Sequence, residues 1–188
     1  GDDAIWSHRW AISAEYRNGT RISGYAMQGE GTPMGVFGHE FAHDLGLPDL
    51  YDTDYSSSGI GHWGMMSGGS WLNGGDTPAQ LCAWSKIFLG WVEPALPLAG
   101  EGEYNLSRVE DNASIMKIPI DGLGGREYFL LENRQNVGYD TYLPGHGLLI
   151  WHIDEDGSQS NDARRRVHLE EADNNNNPKQ SNDPWANT

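Results

Sequence analysis

Residues 39–49 read His-Glu-Phe-Ala-His-Asp-Leu-Gly-Leu-Pro-Asp, and this stretch commits the chain around it to one local geometry. His39 and His43 are four residues apart, so on a helix they share a face, one imidazole above the other. That separation suits adjacent corners of a zinc tetrahedron, with Glu40 beside the water that fills an open corner. Gly46 adopts φ > 0 without a Cβ penalty, which ends the helix and turns the chain back. Asp49, three residues later, then returns an oxygen to the same metal. Three ligands and one base are what a hydrolytic zinc site requires. The plain alternative is an ordinary helix with surface histidines, and the glycine and aspartate at fixed offsets weigh against it.

A chain of 188 residues is one domain, or one domain with a small appendage, and buries a real core. The 25 glycines predict many turns and loops, and eight Trp with eight Tyr supply large apolar surfaces. The net charge of −15 argues against nucleic acid or an anionic membrane as main partner, since both need clustered Lys and Arg. It suits a secreted, soluble protein and bound divalent cations that offset the acid excess. Cys82 is the single cysteine, so no internal disulfide forms. Its apolar helical surroundings predict a small buried hydrophobe rather than a reactive thiol. No apolar run reaches the length of a membrane span. The N-terminus opens Gly-Asp-Asp without a signal peptide, as expected of a mature product or a piece of something larger.

Residues 1–31 predict one or two strands, with Asn18-Gly19 as a hairpin turn. Thr32 is the expected N-cap, with Pro33 in the first helical position. The helix that follows carries Val36, Phe37, Phe41 and Leu45 toward the core. Residues 47–76 have no period, and a loop this long inside a compact domain is usually functional. Thr77-Pro78 opens a second expected helix through Leu81, Trp84, Ser85, Phe88 and Leu89, closed by Gly90, with Trp84 and Trp91 as core residues. Strands are predicted at 103–109, 113–120, 126–133 and 146–154. The apolar runs Tyr128–Leu131 and Leu148–Ile153 read as central strands buried on both faces. The polar tail from Asp156 is expected to be partly disordered, and flexible over 174–188.

Several blocks go beyond the metal segment: His39–Asp54 (HEFAHDLGLPDLYDTD), Trp63–Trp71 (WGMMSGGSW), the helix ending through Leu89-Gly90-Trp91, Glu127–Gln135 (EYFLLENRQ) and Pro144–Asp154 (PGHGLLIWHID). In these the chain resembles the M6 metalloproteases, the immune inhibitor A-like peptidases that belong with or beside the metzincins. The resemblance implies an α+β fold, a metzincin-like zinc-protease catalytic domain with zinc helix, Met-turn, second helix and a C-terminal antiparallel β region. Residues 1–100 would be the catalytic core and 101–173 a β-rich continuation packed on it. His39, His43 and Asp49 would bind Zn²⁺, with Glu40 as general base and later general acid. Met66 matches the methionine of the hydrophobic floor under the metal, with adjacent Met65 as the alternative. Proteins or peptides would be the substrates, outside the cell. Metzincin domains place several strands and a long helix before the zinc helix, whereas 38 residues precede His39 here, so the expectation is either a fold cut short upstream or a fragment of a longer chain.

Smaller features extend this reading. Asp44 is placed to hydrogen-bond a ligand histidine from behind, or to be a solvated helix-end carboxylate. His62 is a surface histidine or a lining residue of the cleft, and His152 reads as a core histidine of its strand. The acidic loop offers Asp52 and Asp54 as a structural Ca²⁺ site, with Glu170-Glu171-Ala172-Asp173 a weaker one. Two competing classes remain. A non-catalytic module on the same fold is disfavoured by the intact Glu40. A thermolysin-like enzyme, whose third ligand is a Glu on a later helix, is disfavoured by Gly46 and Asp49.

Overall fold

The computed structural model describes residues 6–97, 102–120, 122–180 and 182–185. Strands β1 (His8–Arg17) and β2 (Thr20–Met27) form an antiparallel hairpin. Asn18 and Gly19 take φ of 50° and 80°, the left-handed pair that matches the twist of the flanking strands. The hairpin is largely exposed, and Arg9 ties it to the next element through Asp44.

Helix α1 (Met34–Asp44) starts directly after Pro33, which takes the cap position itself. Thr32 is not the cap: its hydroxyl donates to the Gly29 carbonyl and meets the Ser7 hydroxyl. The buried face of α1 is Gly35, Val36 and Ala42. Phe37, Phe41 and Leu45, expected in the core, are 53%, 52% and 42% exposed. The reason is close backbone contact on the small-residue side. A Cβ on Gly35 would lie 2.0 Å from the Ser70 carbonyl oxygen, so only glycine lets α1 approach the 3-10 segment Gly68–Gly75. Gly35→Ala is expected to lower stability by at least ~1–3 kcal/mol, the usual cost of overpacking. Thermal unfolding checks this, and an unchanged Tm would contradict the approach.

The second helix, α2, covers only Ala83–Phe88, not the longer stretch from Thr77. Residues 79–82 are non-helical, with Ala79, Leu81 and Cys82 buried, because their backbone bonds elsewhere. Ala79 N–H donates to Gly69, Gln80 N–H to the Asp140 carboxylate, and the Gln80 carbonyl accepts from Met65. Cys82 precedes the helix, fully buried, with its sulfur 3.4 Å from the Ser85 hydroxyl. Trp84 is in the core, but Trp91 is 60% exposed, contrary to expectation. It follows Gly90, whose φ of 70° turns the chain outward.

Strands β3 (Ile115–Pro119), β4 (Glu127–Arg134), β5 (Gly147–Asp154) and β6 (Val167–Glu170) make one antiparallel sheet in that order. Residues 103–109 form no strand, only a single bridge between Arg108 and Asn133. β6 lies in the stretch expected to be disordered; its alternation is clean, with Val167 and Leu169 buried. β4 and β5 bury alternate residues rather than both faces. Pairs such as Leu130 with Trp151 and Tyr128 with Ile153 fill the core side.

That core face also holds a buried charge cluster. Arg134, with no exposed surface, makes a two-pronged bond to Asp140 at 2.8 and 2.7 Å and reaches Glu132 at 3.3 Å. Trp151 donates to the same Glu132 oxygen, and Arg134 donates to the Trp63 carbonyl. Asp140 also accepts from Gln80. The sheet thereby grips the loop that runs behind α1, and this loop positions the site described next.

Candidate metal centre

α1 presents His39 and His43 on one face, with imidazole centroids 4.7 Å apart. The helix ends as the glycine anticipates: Gly46 has φ of 103°, and Leu47 N–H returns to the Ala42 carbonyl, the bonding of a left-handed helix stop. The chain then reverses and brings Asp49 back. Leu50 N–H donates to the Met66 carbonyl at 2.8 Å, which pins the returning segment to the Met65-Met66 turn.

Three atoms converge. His39 Nε2 lies 3.1 Å from Asp49 Oδ1, His43 Nε2 lies 3.2 Å from the same oxygen, and the two Nε2 atoms are 3.2 Å apart. On the far sides, His39 Nδ1 contacts the Met65 carbonyl at 2.9 Å and His43 Nδ1 the Leu47 carbonyl at 2.7 Å. A carbonyl only accepts, so each Nδ1 carries the proton and each Nε2 turns a lone pair inward. Two lone pairs and a carboxylate oxygen facing one another at this range repel unless a cation or protons lie between them. A tetrahedron with bonds of ~2.0–2.1 Å has edges of about 3.3–3.4 Å. The observed triangle fits such an ion closely.

The electrostatics agree. Without a cation, protons take its place: burial opposes the Asp49 charge, but His39 and His43, donating from Nε2 when protonated, outweigh it and hold the carboxyl well below the usual range. For His43, burial disfavours the charged form, yet the Asp49 and Leu47 contacts prevail and raise its pKa. Tyr51 stacks on His39 with centroids 6.2 Å apart. Burial and the neighbouring Asp49 carboxylate push its phenol up to about 12, so it stays a neutral donor.

The cluster opens onto a cleft of about 480 Å³ lined by His39, Glu40, Tyr51, His62, Trp71 and Lys179, among others. That size is ordinary for a ligand site. Burial, with help from Lys179, lowers the pKa of His62, which keeps this cleft imidazole neutral. Tyr51, Trp71 and Lys179 were not anticipated. Tyr51 sits two residues past Asp49, a local signal; Lys179 arrives from 140 residues downstream of His39 and has none.

Other expected residues take different places. Asp44 faces outward and pairs with Arg9 at 3.1 Å, so the orienting role behind the imidazoles falls to backbone carbonyls. Met66 is 1% exposed, within the core cluster, whereas Met65 supplies the carbonyl that holds His39. Both Asp52 oxygens accept bonds inside their own loop, from Asp54 N–H, Ser56 and Ser57 N–H. Asp54 likewise accepts from Ser56 N–H. Among the described residues, neither belongs to a cluster of three ligand atoms. His152 is half-buried and bonds Glu127 across the strand pair at 2.8 Å.

A histidine pair on a helix, joined by a carboxylate after the helix stop, is a donor set that can hold a metal ion. Residues 1–92, just under half of the chain, match the family described as immune inhibitor A peptidase M6, catalytic domain, a finding that supports an M6 family metalloprotease. The chain is 41% identical over 105 residues to an immune inhibitor A of Bacillus thuringiensis subsp. alesti, covering 47% of this chain and 15% of that protein. It is also 41% identical over 106 residues to the pre-pro-metalloprotease PrtV of Vibrio cholerae serotype O1 (strain M66-2), covering 47% and 12%. The match thus spans less than a fifth of either relative's own length. No helix among the described residues is long and apolar enough to cross a membrane.

Proposed function

We propose that the chain is the catalytic part of a secreted zinc-dependent endopeptidase that hydrolyses peptide bonds in proteins. The observation that carries this reading is the triangle of His39 Nε2, His43 Nε2 and Asp49 Oδ1 at 3.1–3.2 Å. Its nitrogen and oxygen donors, with no thiolate, suit zinc with one position left open. His39, His43 and Asp49 would hold the zinc, which would supply a lowered pKa, toward ~7, for a bound water and polarisation of a substrate carbonyl. Glu40 lines the same cleft, accepts the proton of the attacking water and returns it to the leaving amine. The Met65 and Leu47 carbonyls keep both imidazoles in the tautomer that ligates. Asp49 contributes the negative charge, and Tyr51 stays protonated beside it. A relative named as a metalloprotease supports protein substrates, and the net charge of −15 suits an extracellular setting.

Metal analysis paired with casein turnover tests the reading. One zinc per chain is expected, with activity removed by a chelator and restored by added zinc. Full activity in metal-free protein would overturn it. Stoichiometric zinc without turnover would replace it with a non-catalytic module on the same fold.

A further inference from the structure

The cleft beside the α1 centre carries two hydrogen-bond donors that the fold does not use. His62 and Lys179 both line it. Among the described residues, neither the His62 ring nor the Lys179 ammonium has a hydrogen-bond or ion-pair partner. That sets Lys179 apart. Acidic residues outnumber basic ones 27 to 12, and the other cations are mostly taken. Lys86 donates to Gln80, Lys117 lies over the Tyr128 ring, and most arginines pair with carboxylates. In so acidic a chain, an ammonium that faces a cleft without an anion is available to one brought by a ligand.

The backbone holds the two donors side by side. His62 N–H donates to the Pro178 carbonyl at 2.9 Å, one residue before Lys179. Gly61 has φ of 55°, and a Cβ there would lie 1.8 Å from the same carbonyl, so only glycine lets the two segments touch. A Cβ on Gly68 would come 3.0 Å from His62 Cδ2, which limits the room for the ring to turn. Burial and the nearby Lys179 charge keep the imidazole neutral, and a neutral imidazole still donates from one nitrogen. The acids that line or adjoin the cleft do not compete. Asp49 turns its oxygen to the two ligand histidines, and both Asp52 oxygens are bonded within their own loop.

We propose that His62 and Lys179 form a carboxylate-recognising subsite that selects peptides with an acidic side chain beside the scissile bond. The subsite rests on the protease reading for its occupant being a peptide. The ammonium supplies charge and the imidazole N–H direction, and a charge-assisted bond is roughly twice as strong as a neutral one. A Gln side chain of the same shape offers an acceptor without charge, and a Lys side chain meets like charge. The expected order is therefore Glu, then Gln, then Lys. Lys179 is exposed, so the preference should shrink at high salt.

Internally quenched peptides, capped at both ends, with Glu, Gln or Lys at each position flanking the scissile bond test this. The zinc-loaded full chain is expected to cleave the best Glu peptide with kcat/KM at least ~5-fold above its Gln counterpart. Lys179→Met should bring that ratio to about one, Lys179→Arg should keep it, and Lys179→Glu should turn the preference toward Lys. A merely structural role for Lys179 would lower both peptides together and leave the ratio native, which would overturn the subsite. Calorimetric binding of the same peptides to Glu40→Ala reads the preference without turnover. Absent cleavage with a Glu preference in binding would strike the protease reading and leave the subsite standing. Equal handling of Glu and Gln peptides in both measurements would overturn the subsite. So would stronger binding of a peptide whose one carboxylate is its C-terminus, by assigning the donors to a chain end.

Discussion

Glu40→Ala is expected to retain zinc and the native fold while losing casein turnover by about 10²–10⁴-fold, the usual share of a general acid–base group. That loss corresponds to roughly 2.7–5.5 kcal/mol of transition-state stabilisation. The separation of effects follows from position. Glu40 is next to His39 in sequence but contributes no atom to the triangle, which is built by His39, His43 and Asp49. Its half-buried carboxylate faces the cleft rather than the core, so removal leaves no hole in the packing. Zinc content by atomic absorption and kcat/KM on casein are the two readouts. Unchanged turnover would sink the role of Glu40, and lost zinc would show that the site is assembled differently.

What was legible in the sequence is mostly what depends on local geometry. The His39/His43 pair needs only helical spacing, the Gly46 stop only a positive φ, and the Asn18-Gly19 turn only two left-handed residues. Each is decided within four residues of chain. The return of Asp49 is legible for the same reason, since a helix stop followed by three residues has few paths.

The parts that failed depend on distant partners. The spacing of Phe37, Phe41 and Leu45 marks a stripe but not which side is covered, and the contact of Gly35 with Ser70 turned the opposite side inward. The helix expected from Thr77 is shortened because Gly69, Met65 and Asp140 capture its backbone. Asp44 pairs with a strand 35 residues upstream. The Trp63–Asp183 bond spans 120 residues, so the tail's acidic residues read as solvated charge until the fold buries them. Adjacent Met65 and Met66 could not be separated by pattern, because one acts through its carbonyl and the other through its buried side chain.

Removing Asp49 should have the largest effect on metal. In Asp49→Ala two imidazoles remain, and we expect zinc affinity to fall by more than ~100-fold, beyond the 10–100-fold typical of losing a group that only orients a ligand. That excess decides between the two zinc-peptidase layouts. If the third ligand were a carboxylate from a later helix, Asp49 would be an outer acceptor for the imidazoles, and its loss would stay within the smaller range. Asp49→Asn sharpens the distinction, since it keeps the shape and one acceptor oxygen but removes the charge. As an outer acceptor Asn would largely serve; as a ligand it would not, because the anion offsets the charge of the ion at the 3.1–3.2 Å triangle. Competition against a chromophoric chelator measures both constants. Near-native zinc affinity in Asp49→Asn would remove Asp49 from the metal and move the third ligand elsewhere in the chain.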